Sequence, residues 1–520
     1  MFEDDCHPNA RSLISRRRLL QGAAAAGFVV PIVAKSALAQ SGEGIVFALS
    51  SYPPSLRPWA NTGTAAVTVK LQTLRGLLGY DARGELRGEL AESWKQDGTT
   101  GWAVTLREGA KFQDGQPVDA DAVRASFAML ADEKSSAYFR ARVNALLDKI
   151  DVPDARTVRF VLKQPTVTWP YLLASPHMPI ISPKSNEANP SGAGPYRITD
   201  MERGTRIDLE AFDGYYRPGK PATKKLRFVA YQDENLRVAA LEAGDVNISE
   251  YIPWQSMAAI EKNPNLALDT LDGPFLYLVF NTKQGPFANA KLREAVAFGI
   301  NRDDIVKAAF FGRGSPLAGL PFAKGSPYSN EAGANHWKMD LEKAKRLLAE
   351  GGQPNGFKTT LLATSTYGMH KDAAEVIQQS LKPLGIEVTL AVPDWASRVN
   401  LGNRGQYEFA VNGTAGDFND PDALTSLLAG GQTASYARSF GYSNPKVDEL
   451  LDKGRAEFDP EKRKAIYREL ETVALEDAAF VGLAWRSQGY GLKKSGKGFK
   501  NLPGALTFFS GVTLEDLTFG

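Results

Sequence analysis

The sequence predicts an α/β protein of more than one domain, and three observations carry that expectation. Strand-type and helix-type hydrophobic periodicity alternate along the chain. Of 520 residues, 481 remain beyond an N-terminal export signal at residues 1–39, enough for two or three domains at ~150 residues each. Two continuous apolar runs, Phe275 to Phe280 and Ala478 to Trp485, are too short for helices and too apolar for edge strands. Both read as strands buried on both faces, and the block of about two hundred residues between them is what two strands crossing between lobes would enclose.

The export signal comes first in the chain. Ser15-Arg16-Arg17-Arg18-Leu19-Leu20 precedes a weakly apolar stretch, Gly22 to Ala34, which ends in the small-x-small site Ala37-Leu38-Ala39. The adjacent arginines, the Ala/Gly-rich stretch and Lys35 fit the twin-arginine route. The apolar stretch falls short of the ~20 residues that span a bilayer and contains Pro31, which weighs against a membrane anchor. The single cysteine, Cys6, lies inside the signal. A chain cleaved near Ala39 therefore forms no disulfide and carries no lipid-bearing thiol, which points to a freely diffusing periplasmic protein. Removing five basic and three acidic residues with the signal, from 61 and 59, leaves 56 of each. That balance argues against nucleic acid or an anionic membrane as the main partner.

Further along, Trp102, Val104 and Leu106 alternate with Ala103 and Thr105 as in a half-buried strand, and Asp114-Gly115 marks a turn. Asp119 then caps a helix whose apolar face holds Val123, Phe127 and Leu130, with Val118 and Val123 placed as a hydrophobic staple. Asn301 caps another helix, which stops near Gly312. Asp340 caps a third, with Leu341, Ala344, Leu347 and Leu348 on its apolar face and Gly351-Gly352 closing it. The helical stretch Ala373 to Leu381 ends at Pro383 to Gly385 and feeds a strand, Ile386 to Leu390, the connection of a mixed or parallel sheet.

Catalytic and cofactor motifs fail on inspection. Gly214-x4-Gly219-Lys220 and Gly491-x4-Gly496-Lys497 resemble phosphate-binding loops, but Pro221 and Gly498 replace the Ser/Thr that would hold magnesium. Gly192-Ala193-Gly194 lacks the third glycine of a dinucleotide fingerprint, and Pro195 has no amide to donate. His177, His336 and His370 are not spaced to share a zinc ion. No nucleophile elbow or cysteine nucleophile follows the signal. The expectation is no cofactor, no metal and no enzyme.

Seven segments, in order, resemble one family. They are Leu90-Ala91-Glu92-Ser93-Trp94, Trp102 through Gly115, Gly192-Ala193-Gly194-Pro195-Tyr196, Leu241-Glu242-Ala243-Gly244-Asp245, Phe280-Asn281-Thr282 with Gly285-Pro286-Phe287, Leu292-Arg293-Glu294-Ala295-Val296, and Tyr442-Ser443-Asn444-Pro445. The chain resembles the periplasmic peptide- and nickel-type solute-binding proteins of ABC importers over essentially all of its length beyond the signal. The resemblance implies a two-lobed periplasmic-binding-protein fold (type II, cluster C) with an extra subdomain in lobe I and a two-strand hinge. Lobe I would comprise 40–79, 185–276 and 487–520, the extra subdomain 80–184, and lobe II 277–486. The implied work is capture of a peptide-like or amino-acid-derived small molecule and its delivery by a monomer to an ABC permease in the inner membrane. Receptors for a nickel chelate, an opine or an oligosaccharide are the alternatives within that class; a periplasmic hydrolase or chaperone-like protein is the alternative outside it.

Peptide binders of this family pair an aspartate with the ligand's α-amino group in a loop that Asp417-Phe418-Asn419-Asp420-Pro421 matches, so the resemblance places Asp417 there. Without that analogy, the same residues are a polar turn ahead of Pro421. The tryptophan usual before this aspartate is missing, with Thr414 and Gly416 in its stretch, which weakens the inference to a peptide. Thr414 and Asn419 flank the proposed anchor, and Thr62 and Thr64 lie in a polar loop where family members approach ligand. Tyr52, Trp395, Phe440 and Tyr442 are candidates for aromatic walls and Arg438 for a carboxylate clamp.

Overall fold

The computed structural model describes residues 44–322 and 325–520; the export signal read from residues 1–39 lies outside them. Its centre is one large mixed sheet in which ten strands run in the order Glu387–Ala391, Lys358–Leu362, Phe409–Thr414, Leu266–Phe280, Val481–Lys493, Ile248–Ser249, Gly44–Leu49, Lys225–Ala230, Arg206–Ala211 and Tyr196–Glu202. An eleventh, Gly314–Pro316, pairs with Val481–Lys493.

The two apolar runs lie in the two longest strands. Leu266–Phe280 and Val481–Lys493 pair antiparallel from Leu266↔Lys493 to Leu278↔Val481. At one end Gly491 and Leu492 pair with the first lobe's Ile248–Ser249; at the other Phe275 to Phe280 pair with the second lobe's Phe409–Thr414. The crossing reading therefore holds, with one adjustment. Ala478 to Phe480 precede the strand, because Ala478 takes a positive φ of 43°.

The second lobe is a βαβ arrangement. Lys358–Leu362 and Glu387–Ala391 are parallel and joined through the helix Gly368–Leu381, which begins five residues before the apolar stretch that announced it. Helices capped by Asn301 and Asp340 pack on the same apolar core, and each cap oxygen accepts an amide hydrogen, from Asp304 and Lys343. The first of them ends at Phe310, with Phe311 rather than Gly312 taking the left-handed capping position.

In the first lobe Gly44–Leu49 pairs parallel with Lys225–Ala230 and Ile248–Ser249. A separate antiparallel sheet, Ala91–Gln96, Gly101–Leu106, Thr157–Leu162 and Leu147–Asp154, carries the helix Ala120–Ala131, whose cap Asp119 accepts from the Ala122 amide at 2.8 Å. The Gly192 and Gly194 pair serves packing: a Cβ on either would stand 2.4 Å from a carbonyl oxygen of the preceding helix end, Thr73 or Gln72.

Candidate functional site

The loop 415–424 leaves the second-lobe strand Phe409–Thr414 and inserts into the four-stranded-sheet unit. Phe418 is buried in that unit's core, stacked on Tyr171 at 5.7 Å and 18°, with the Arg142 guanidinium 5.5 Å from its ring. Asp422, with no exposed surface, binds Arg142 and Thr168 of that unit and Arg455 and Thr425 of its own lobe; the Thr168 hydroxyl lies at 2.8 Å and the Arg455 Nη2 at 3.0 Å. Arg142 and Arg455 hold this carboxyl down at about 2 against the opposing cost of burial. Asp420 makes a two-toothed pair with Arg463 at 2.7 Å. The loop is thus bolted to both lobes.

Beside it opens a cleft of about 410 Å³, a volume typical of small-molecule sites. Phe275, Tyr277 and Trp485 of the crossing strands supply apolar walls, with Phe322, Leu424 and Leu427 opposite. Asp417 lines this cleft half-buried, and its Oδ1 accepts from the Tyr138 hydroxyl at 3.1 Å. Burial pushes its carboxyl above the ordinary carboxylate range; the field of Arg142 and the Tyr138 hydrogen bond pull it back, and Asp422 adds to the rise. No ion pair forms at Asp417 among the described residues.

The other sequence-predicted residues divide. Thr414 and Asn419 also line the cleft. Asn419, however, accepts from the Ala505 amide at 2.7 Å and donates to the Pro503 carbonyl at 2.9 Å, so its amide ties the loop to the C-terminal segment. Trp395 lies in a second aromatic group, 5.2 Å from Tyr367 and 5.4 Å from Tyr436, with Arg398 over its ring at 5.5 Å. Thr64 opens the helix Thr64–Thr73 and bonds the Tyr251 hydroxyl. Thr62 closes a local turn, donating to the Ser55 carbonyl at 3.0 Å. Tyr52 packs on the first-lobe core and Phe440 on the second. Arg438 and Tyr442 are buried in the second lobe, Arg438 donating to the Ala429 carbonyl. None of these seven, from Trp395 to Tyr442, lines the cleft. Sequence reasoning missed Tyr138, Phe275, Tyr277 and Trp485. Three of these four sit in or beside the apolar runs, whose crossing placement was the available signal.

Residues 85–436 match the family described as bacterial extracellular solute-binding proteins, family 5 (middle region). The chain belongs to this family. Family 5 relatives similar to it include the glutathione-binding protein GsiB of Shigella dysenteriae, 30% identical over 517 residues, with 95% of this chain and 98% of the relative covered. GsiB of Escherichia coli K12 is 29% identical over the same coverage. Among solved structures, the binding protein AgaA of A. tumefaciens R10 in complex with agropinic acid is 39% identical, with a TM-score of 0.83 over 92% of this chain and 99% of that one. The periplasmic DppA of Helicobacter pylori in complex with the peptide STSA is 24% identical with a TM-score of 0.79, covers the same shares, and supports the fold alone. The two-lobed architecture of this family 5 protein and its solute-binding role follow.

Proposed function

We propose that the chain is the periplasmic receptor of an ABC importer for a peptide-like or amino-acid-derived small molecule, whose ammonium group Asp417 anchors. The observation that carries this reading is a carboxylate on the cleft wall, raised by burial, beside lobe-bridging contacts and without an ion-pair partner among the described residues. A ligand ammonium relieves that desolvation, and a charge-assisted hydrogen bond at such a site is stronger than one in water. The name of GsiB supports the peptide-like class, since glutathione is a peptide, whereas the agropinic acid bound by AgaA is an opine and supports the alternative within the same class. The signal at residues 1–39, with the only cysteine inside it, supports export without a lipid tether, and the adjacent arginines support the twin-arginine route. Capture and release make or break no bond, so the protein acts without catalysis. The crossing strands support lobe limits of 40–79, 185–276 and 487–520 against 277–486, with 80–184 as the extra subdomain.

Native mass spectrometry of the periplasmically purified protein gives the mass of any retained solute. The expected result is an amine-bearing amino-acid derivative in wild type and its loss in Asp417→Ala. Equal retention by both proteins would remove the anchor, and turnover of the retained solute on incubation would remove the pure binding role.

A further inference from the structure

Arg486 follows Trp485 on the crossing strand, opposite a bulge. Between the pairs Asp272↔Ser487 and Phe275↔Trp485 the register shifts to accommodate Gly273 and Pro274, and bulges re-aim the side chains beside them. Gly273 is required there, because a Cβ would stand 2.1 Å from the Gly504 carbonyl oxygen. Trp485 faces the cleft described above; Arg486 leaves the other face of the strand and enters the seam between the lobes. From the first lobe it meets the Tyr251 hydroxyl and the ring of Phe508, 6.0 Å from the guanidinium, and those two rings stack at 5.7 Å and 13°. From the second lobe it meets Met369, whose Sδ accepts from Nη1 at 3.1 Å, and Tyr367 lies within range of its charge.

This guanidinium is 5% exposed, has no carboxylate within ion-pair distance among the described residues, and its Nε has no hydrogen-bond partner. Other buried arginines without a close carboxylate also keep one nitrogen unpartnered, Nη2 of Arg302 and Nε of Arg398, but spend the rest of the guanidinium on oxygen acceptors. Arg302 donates to the carbonyls of Leu317 and Gly482 at 2.9 Å and of Trp337 at 2.6 Å. Arg398 donates to the Val411 carbonyl at 2.7 Å and the Asn412 side chain at 2.6 Å. Arg486 reaches no carbonyl. The nearest titratable neighbours do not neutralise it either: Tyr251 is held protonated by burial, and His370, between Arg398 and Arg486, is held neutral. A buried cation whose partners are one sulfur, one hydroxyl and one ring face is under-compensated, and an anion would relieve it. Tyr367, 43% exposed, and the half-buried Thr64, bonded to Tyr251, mark the side from which a solute would reach it.

We propose that Arg486 anchors an anionic group of the transported solute, a carboxylate in the first place, with the Tyr251 hydroxyl as a flanking donor. The solute is then an amino-acid-derived acid that bridges the seam and neutralises it on closure. This rests on the receptor reading above and adds an anionic group to what the solute must carry.

The test compares wild type, R486Q, R486K, R486M, R302M and D417N, purified from the periplasm. Small molecules extracted from each are quantified by negative-ion mass spectrometry, and the stripped proteins are melted. The expected result is an acid in the wild-type extract, reduced at least tenfold in R486Q and partly restored in R486K. Stripped R486M should melt at or above wild type, whereas R302M melts several degrees lower. The proposal is overturned if stripped R486M melts as low as R302M, if R486Q retains the wild-type amount, or if the solute has no anionic group. Where no solute co-extracts, the melting comparison decides. Loss of solute in D417N but not R486Q leaves the receptor reading standing without this subsite; loss in R486Q but not D417N removes the ammonium anchor and keeps the subsite.

Discussion

Asp417 and Asp422 lie five residues apart on one loop, both feel Arg142, and their chemistry diverges. Asp422 has two arginines and two hydroxyls for partners, and its carboxyl is held at about 2. Asp417 has one phenol and an open cleft, and its carboxyl is pushed up. Burial acts on both in the same direction; the count of positive partners decides the sign. A fully partnered carboxylate is a bolt between lobes, and an under-partnered one is a socket. On the cationic side Arg302, with several carbonyl acceptors, differs in the same way from Arg486, with a sulfur and a hydroxyl, although each keeps one nitrogen unpartnered.

The largest way to break this comparison is Asp422→Ala. It strands Arg142 and Arg455 in a buried seam, and truncating one partner of a buried pair costs about 3–5 kcal/mol. Thermal or denaturant unfolding of the ligand-free protein should register that loss, and a change below about 1 kcal/mol would mean that the seam rearranges around its arginines. Asp417→Ala should leave ligand-free stability unchanged or higher while weakening binding of the retained solute by about 2–5 kcal/mol, measured by calorimetry.

The two carboxyls also respond oppositely to acid. The folded value of Asp422 lies below its unfolded one, so its contribution is complete above the unfolded value and is lost as pH falls toward about 2. Asp417 lies above its unfolded value, so its charge destabilises the ligand-free fold above the raised value, and that penalty disappears as pH falls through it. With Asp417 as the proposed ammonium anchor, solute binding should therefore weaken at a higher pH than an ordinary carboxylate would dictate. Arg142→Gln removes a cation that lowers Asp417, so it should move that weakening to higher pH still. An unshifted binding profile in this variant would contradict the assigned field.

Much of the scaffold was legible because it rests on local pattern. Asp119, Asn301 and Asp340 announce their helices through oxygens that accept from the amide three residues on. The apolar runs announce the crossing strands because a strand buried on both faces has no polar alternation. The site was less legible because its partners are distant in sequence. Tyr138 and Arg142 precede Asp417 and Asp422 by about 280 residues, and nothing in the strand's period of about 2 or the helix's of about 3.6 residues encodes such a meeting. Asn419 has the composition of a ligand contact, yet its amide closes the loop onto Pro503 and Ala505. Arg486 carried a signal that is visible in retrospect: a cation placed directly after an apolar run, inside a strand that continues for seven more residues.

The smallest expected effect is the most specific. Tyr138→Phe removes one hydroxyl from Asp417 and leaves the ring that packs 4.7 Å from Phe139 and 5.3 Å from His177. One neutral donor to a charged acceptor contributes about 1.5–3 kcal/mol at most, less at a group open to water. Because Tyr138 lowers the Asp417 carboxyl, its removal should raise that carboxyl further and move the acid loss of binding to higher pH, with ligand-free stability nearly constant. A bound ammonium takes over the acceptor lone pairs that Tyr138 shares, so the variant's affinity loss should shrink as pH rises and Asp417 becomes fully ionised. If the loss instead stays constant across the pH range, the phenol contacts the solute directly, and Tyr138 belongs to the ligand rather than to its anchor.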